Sequence, residues 1–339
     1  MTTATLLSEP EYQDQFDITV YQMGWRLGGK GASGRNLEKQ NRIEEHGLHL
    51  WFGFYDNAFD LIKRCYAENN RPLGSPLSTW NEAFKPGNFF VLQEHINEDW
   101  IKWALPFPEN DLEPGMGSDE LSIYDYASEM ARFALNSYET YQTQIEDNLS
   151  QKSLSFKDVK GLNSSGLTQI VEKLIIKGAR VSIWHFLLEE IHDALSKKKK
   201  LSKRKSKTLI ILLETFLKIS GYFIDKKIEN NTLLRRVWIG IDLALTCLLG
   251  FLRDGVFKNG LKVINKYDYK EWLQRNGASP LTVDSAPVRA IYSAFFSANN
   301  TFEAGTAINI SLKLVLKYRG AFYYRMQAGM GDTIFTPMY

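Results

Sequence analysis

Residues Gly29-Lys30-Gly31-Ala32-Ser33-Gly34 spell G-x-G-x-x-G. That spacing cradles a pyrophosphate when its first glycine closes a strand and its last opens a helix packed on that strand. Here the first glycine stands well beyond the strand-like stretch Asp17–Tyr21, and the following segment RNLEKQNRIEEHG is polar. A crossover helix needs an apolar stripe to bury itself on a sheet, and none is present. The six residues taken alone therefore read as a glycine-rich loop. His46 and His49 share a short stretch with Glu44, Glu45 and Asp56, but H-x-x-H lacks the i, i+4 geometry of helical zinc pairs. No metal site is predicted. His185 and His192 each stand alone on amphipathic stretches, Cys65 and Cys247 lie in apolar ones and read as buried thiols, and no G-x-S-x-G nucleophile elbow occurs.

The elements that must position these residues follow from periodicity. Residues 2–13 read as a short helix and Asp17–Tyr21 as a buried strand, with a long loop from Gly24 to Gly47. Apolar residues recur at helical spacing over 48–66. The Pro-, Gly- and Asn-rich segment 71–120 contains strand candidates such as NFFVLQEH. From Tyr124 onward helix follows helix, interrupted by a polar linker at 148–165 and by the basic run KKKKLSKRK at 197–205. The apolar run 237–252 is shorter than the roughly 20 residues a membrane span needs and contains Asp242, so a buried helix or one dipping into a membrane surface is predicted.

Composition bounds the function classes. The 339 residues suggest about two domains. A net charge of +2, with no aromatics interleaved in the basic run, argues against a nucleic-acid partner. Two cysteines cannot make a disulfide framework and fit a reducing compartment, and no secretory signal opens the chain. The expected location is cytoplasmic or peripheral, on an inner or thylakoid-type membrane. The basic run reads either as a solvated linker or as a contact for an anionic membrane surface over 197–207.

A larger pattern contains the glycine loop. ITVYQMGWRLGGKGASGR resembles the second cofactor motif of the FAD-dependent amine oxidase and phytoene desaturase superfamily, in which a strand ends in an acidic residue and an R-x-G-G-R loop follows. Gln22 stands at the acidic position, and Arg26-Leu27-Gly28-Gly29-Lys30 at the loop. A neutral Gln bonds a ribose hydroxyl more weakly than a carboxylate, and Lys30 keeps the charge of Arg without its planar fork. EEHGLHLWFGFYDNAFDLI (Glu44–Ile62) is similar to the E-x-G-L-H-x-x-F-G-x-Y-x-N segment of plant- and cyanobacterial-type carotenoid desaturases. MQAGMGDTIFTPMY resembles the G-G-M turn against the flavin, with Gly329, Met330 and Gly331 as its residues.

The resemblance implies an α/β fold: an incomplete FAD/NAD(P)-binding Rossmann-like domain, whose first strand and glycine fingerprint would lie before Met1, with a large mainly helical substrate or cap domain. The expected boundaries are 1–95 for the cofactor domain, 96–320 for the helical domain with its basic linker 196–207, and 321–339 for the return. The implied cofactor is FAD, weakly held or absent without the fingerprint, with Gln22, Arg26, Gly28, Gly29, Lys30, Gly329, Met330 and Gly331 as its binding residues. The implied reaction is hydride transfer from a long apolar polyene or related isoprenoid to flavin. Two alternatives stay open: a non-catalytic remnant or interaction protein that keeps part of the fold and binds lipid or membrane, and a helical structural protein whose glycine loop is accidental. A separate chain supplying the missing strand, as half of a split enzyme, is a further partner the resemblance allows.

Overall fold

A computed structural model describes residues 1–24, 26–72, 74–96, 98–117, 120–149, 183–197, 201–223, 231–294 and 301–339. They form a small mixed α/β region that includes the N-terminus and a large mainly helical part, the fold class the sequence predicts. The chain divides into two compact units. Unit 1 comprises Met1–Val91, Ala104–Asp119 and Leu312–Tyr339; unit 2 comprises Leu92–Trp103 and Glu120–Ser311.

In unit 1, α1 (Thr2–Leu7) is followed by a single 3-10 turn at Pro10–Tyr12. The helix expected over 2–13 is thus shorter than predicted, because Pro10 has no N–H to continue the ladder. Asp17–Tyr21 is not a buried strand. It pairs with no strand among the described residues, and its side chains stand exposed, Val20 at 49% and Tyr21 at 91%. Its apolar content suits a strand, but a strand also needs a ladder partner, and none lies beside it. The loop expected over Gly24–Gly47 contains a hairpin of β1 (Gly34–Asn36) and β2 (Arg42–Glu44), with Gly34 opposite Glu44. A Cβ on Gly34 would meet the Glu44 carbonyl oxygen at 2.8 Å, so glycine permits this close pairing.

The predicted helix 48–66 begins instead as strand β3 (Leu50–Phe52), and α2 runs over Asp56–Asn69. Gly53 makes the break, since a Cβ there would meet the Ala321 carbonyl oxygen at 2.2 Å. β3 and β4 (Phe84–Gly87) flank β7 (Tyr323–Met326) in a three-stranded antiparallel sheet, with Trp51 opposite Tyr324 and Pro86 opposite the same residue. Phe59, Ile62 and Tyr66 of α2 recur every three to four residues and bury against Phe84, Tyr324 and Ile334. The C-terminal segment is fastened to this helix. The Tyr66 hydroxyl donates to the Thr333 carbonyl at 3.1 Å and the Asn69 amide to the Pro337 carbonyl at 2.7 Å.

Unit 2 is built around a long helix, Thr232–Arg253, which contains the apolar run 237–252 and buries residues on all its faces. Helices Ile123–Thr140 and Lys203–Phe223 pack on it, and Ile183–Ser196 packs on those two. Trp238 stacks on Phe216 at a centroid distance of 5.8 Å, and Trp184 meets both rings edge-on. Among the described residues no helix is long and apolar enough to cross a membrane. The predicted basic linker is partly helical: Lys203, Arg204, Lys205 and Lys207 belong to the first turns of Lys203–Phe223, while 198–200 lie outside the described residues. The polar linker is described only to residue 149; the rest of it, and residues 167–182 of the helix predicted after it, also fall outside.

β5 (Phe89–Ile96) and β6 (Asp99–Pro106) pair as a two-stranded sheet, and the first contains all of the predicted strand NFFVLQEH except Asn88. Within unit 2, Glu94 is 2% exposed and accepts both guanidinium nitrogens of the buried Arg235, at 2.6 and 3.1 Å. It also accepts the Trp103 indole N–H at 3.0 Å and an Arg289 nitrogen at 3.4 Å. Burial penalises the Glu94 charge, but the hydrogen bonds from Arg235 and Trp103 and the nearby cations outweigh it, holding the carboxyl below its ordinary range.

Candidate functional site

The chemistry-bearing residues of unit 1 gather where the loop after Gln22 meets the C-terminal turn. Gly28 and Gly29 have φ of +116° and +57°, a left-handed pair that glycine adopts at little cost, and they turn the chain into a 3-10 turn over Gly29–Gly31. The Phe335 ring covers that turn. A Cβ on Gly28 would lie 2.5 Å from two of its ring carbons, and one on Gly31 would lie 2.9 Å away. Arg26 reaches along the loop and donates to the Ser33 carbonyl. Lys30 is exposed at the crest of the turn. The Gln22 amide bends back onto the Gly24 carbonyl at 2.6 Å.

These loop residues line an open cleft of about 1220 Å3, together with Tyr21, Arg35, Trp51 and Phe335. Arg26, Lys30 and Arg35 line its wall, and no carboxylate among the described residues does. A smaller recess of about 420 Å3 adjoins the loop on residues Arg26, Ser33, Arg35, Gly331 and Asp332, where Arg35 pairs with Asp332 at 2.5 Å. Gly331 therefore lies beside Arg26 at this recess.

Gly329 and Met330 touch the loop through residues that motif reading missed. The buried Ser33 hydroxyl accepts the Gly331 N–H at 2.7 Å, and Glu45 Oε2 accepts the Met330 N–H at 2.9 Å. A Cβ on Gly329 would meet Glu45 Oε1 at 2.2 Å and Ser33 Oγ at 2.6 Å, so glycine is needed for the turn to seat. His49 Nε2 lies 2.9 Å from Glu45 Oε2. The sequence signal for Glu45 was the E-x-G-L-H segment itself; for Ser33, Arg35 and Asp332 there was none, because their partners lie almost 300 residues away.

The wall can take an anionic ligand with a flat ring system: Arg26 and Lys30, glycines that let a ligand approach the backbone, and aromatic rings beside them. Among the described residues no group of three or more His, Cys, Asp or Glu side chains is set to hold a metal ion. Both cysteines are free and buried; burial pushes the Cys247 thiol up to about 12 and raises that of Cys65, so neither is placed to act as a thiolate.

Comparison with known proteins bears on the same segment. Residues 1–65 match the NAD(P)-binding Rossmann-like domain. That span holds the whole Gln22–Lys30 loop and Glu45. Among the described residues the strands of the small region pair antiparallel, so its Rossmann-like character rests on this match. The chain is also similar to the zeta-carotene desaturases, chloroplastic/chromoplastic, of Zea mays, Solanum lycopersicum and Capsicum annuum. Each is 26% identical over 136 residues, which is 40% of this chain and 21% of the relative. The aligned part of the chain thus spans about a fifth of the length of these relatives. No solved structure matches it. The similarity is thus to an NAD(P)-binding Rossmann-like domain over the first 65 residues and, weakly, to plant carotenoid desaturases.

Proposed function

We propose that unit 1 binds the nucleotide part of FAD in the cleft formed by the Gln22–Arg35 loop, and that the chain serves a desaturase-like oxidation of a long apolar isoprenoid or polyene. The observation that carries this reading is the wall of the cleft, where Arg26 and Lys30 stand with no carboxylate among the described lining residues, on the segment matched by the Rossmann-like domain. Flavin, when bound, supplies the acceptor for a hydride from an allylic carbon. The chain's own residues bind and orient. Arg26 and Lys30 attract the phosphates, Gly28 and Gly29 admit close approach of the backbone, and Gln22 serves a ribose hydroxyl once it releases the Gly24 carbonyl. Gly331 borders the adjoining recess, while the Met330 and Gly331 amides, already taken by Glu45 and Ser33, seat the turn beside the loop. The isoprenoid class of substrate comes from the similarity to zeta-carotene desaturases. Titration of FAD against the wild type and Arg26→Ala/Lys30→Ala tests the reading. Loss of two charged contacts is expected to weaken binding at least about tenfold; equal affinities would refute it.

A second reading, a protein that docks on an anionic membrane, is favoured by one observation: Lys203, Arg204, Lys205 and Lys207 are all exposed. Each basic residue near such a surface contributes about 1 kcal/mol. Co-sedimentation with phosphatidylserine vesicles, lost when these residues are changed to Glu, would support it, and unchanged sedimentation would remove it.

A further inference from the structure

Glu45 is the most deeply buried carboxyl of the small unit's site, with a side chain 1% exposed. One of its oxygens, Oε2, accepts the Met330 N–H at 2.9 Å and lies 2.9 Å from His49 Nε2. The other, Oε1, is buried, takes no hydrogen bond among the described residues, and faces the Cα of Gly329 so closely that a Cβ there would be 2.2 Å from it. Burying a carboxyl with one oxygen unpartnered costs free energy. An apolar residue would fill the same space without that cost, so packing does not account for Glu45.

We infer that Glu45 is a positioning residue, which with Ser33 forms a clasp that fixes the Gly329–Gly331 turn against the Arg26–Arg35 loop. The two acceptors take consecutive amides of the turn, Met330 to Glu45 and Gly331 to Ser33. Ser33 is also the residue whose carbonyl holds Arg26. The clasp therefore ties the phosphate-side cation and the C-terminal turn to one short stretch of backbone. His49 backs the carboxyl from its outer side, which makes the E-x-G-L-H segment a support for the turn rather than a metal site. These two bonds join residues 285 and 298 positions apart in sequence and fix the backbone of the turn itself, which its two glycines cannot do through side chains.

The consequence for FAD rests on the function proposed above; the clasp itself does not. Amide hydrogen exchange on the full chain tests the clasp without any ligand. In Glu45→Met, which keeps the bulk and removes the acceptor, exchange at residues 329–335 is expected to rise about tenfold or more while Ile123–Thr140 is unchanged. Glu45→Gln, which keeps an acceptor oxygen, is expected to restore most of the protection. Ser33→Ala makes the same test at Gly331 through a smaller change. Unaltered exchange at 329–335 in both Glu45→Met and Ser33→Ala would overturn the inference, as would an equal rise over Ile123–Thr140. With FAD as probe, Glu45→Met is expected to weaken binding about tenfold and Glu45→Gln to recover it. Wild type that ignores FAD would remove the cofactor reading and leave the exchange result to judge the clasp.

Discussion

The Phe335 ring lies across the Gly28 turn so closely that a Cβ on Gly28 would come within 2.5 Å of it and one on Gly31 within 2.9 Å. The last residues of the chain therefore act as the floor of the loop after Gln22. Gly31→Ala is expected to cost about 1–3 kcal/mol through overpacking. In a Phe335→Ala background that cost should shrink, giving a coupling energy of about 1 kcal/mol in a double-mutant cycle. Chemical denaturation of the four variants measures it, and additive effects would show that the ring and the turn do not touch.

Gly250 makes the same argument inside the long helix of unit 2. Glycine in a helix interior normally costs about 1 kcal/mol relative to alanine, so Gly250→Ala should stabilise on propensity alone. A Cβ there would lie 2.1 Å from the Trp272 ring, which is fully buried and held by a 2.7 Å bond from its indole N–H to Asp254. The clash outweighs the propensity, and a lowered melting temperature is expected. A raised one would mean that the ring yields.

How much of this was legible in the sequence depends on the range of the contact. The long helix 232–253 could be read because its apolar run is local, and the glycine loop could be found because its spacing matches a known motif. Asp17–Tyr21 misled, since apolar content marks a strand's side chains but not the neighbour its backbone needs. Glu45 stood in a recognised segment, yet its partner Met330 is 285 residues away, and no periodicity encodes that distance. Gly53 hid the switch from strand β3 to helix α2, because its close approach is to the Ala321 carbonyl.

The buried Glu94–Arg235 pair sets a pH dependence. Glu94 has a folded pKa below its ordinary 4.5, so its contribution to stability is fully present above that value and is lost as pH falls through the lowered one. Urea midpoints from neutral to about pH 3 should show this acid loss in the wild type and a smaller one in Glu94→Gln. At neutral pH, Glu94→Ala is expected to cost about 3–5 kcal/mol, because it leaves the buried Arg235 charge without its carboxylate. Parallel pH profiles would contradict the assignment.

Burial that holds the Cys247 thiol up to about 12 predicts that it resists alkylation in the folded protein at neutral pH and reacts fully on unfolding. Thiol titration in native buffer and in denaturant reads this directly; rapid native labelling of Cys247 would show that the helix core opens.

The central claim is that the loop and the turn of unit 1 form a flavin nucleotide site. The most direct measurement is the visible spectrum of the full chain after incubation with FAD and gel filtration, with the retained flavin quantified against protein. The account predicts flavin retained in stoichiometric amount, and its loss in Arg26→Ala/Lys30→Ala. A folded, soluble wild type that elutes without flavin would contradict it.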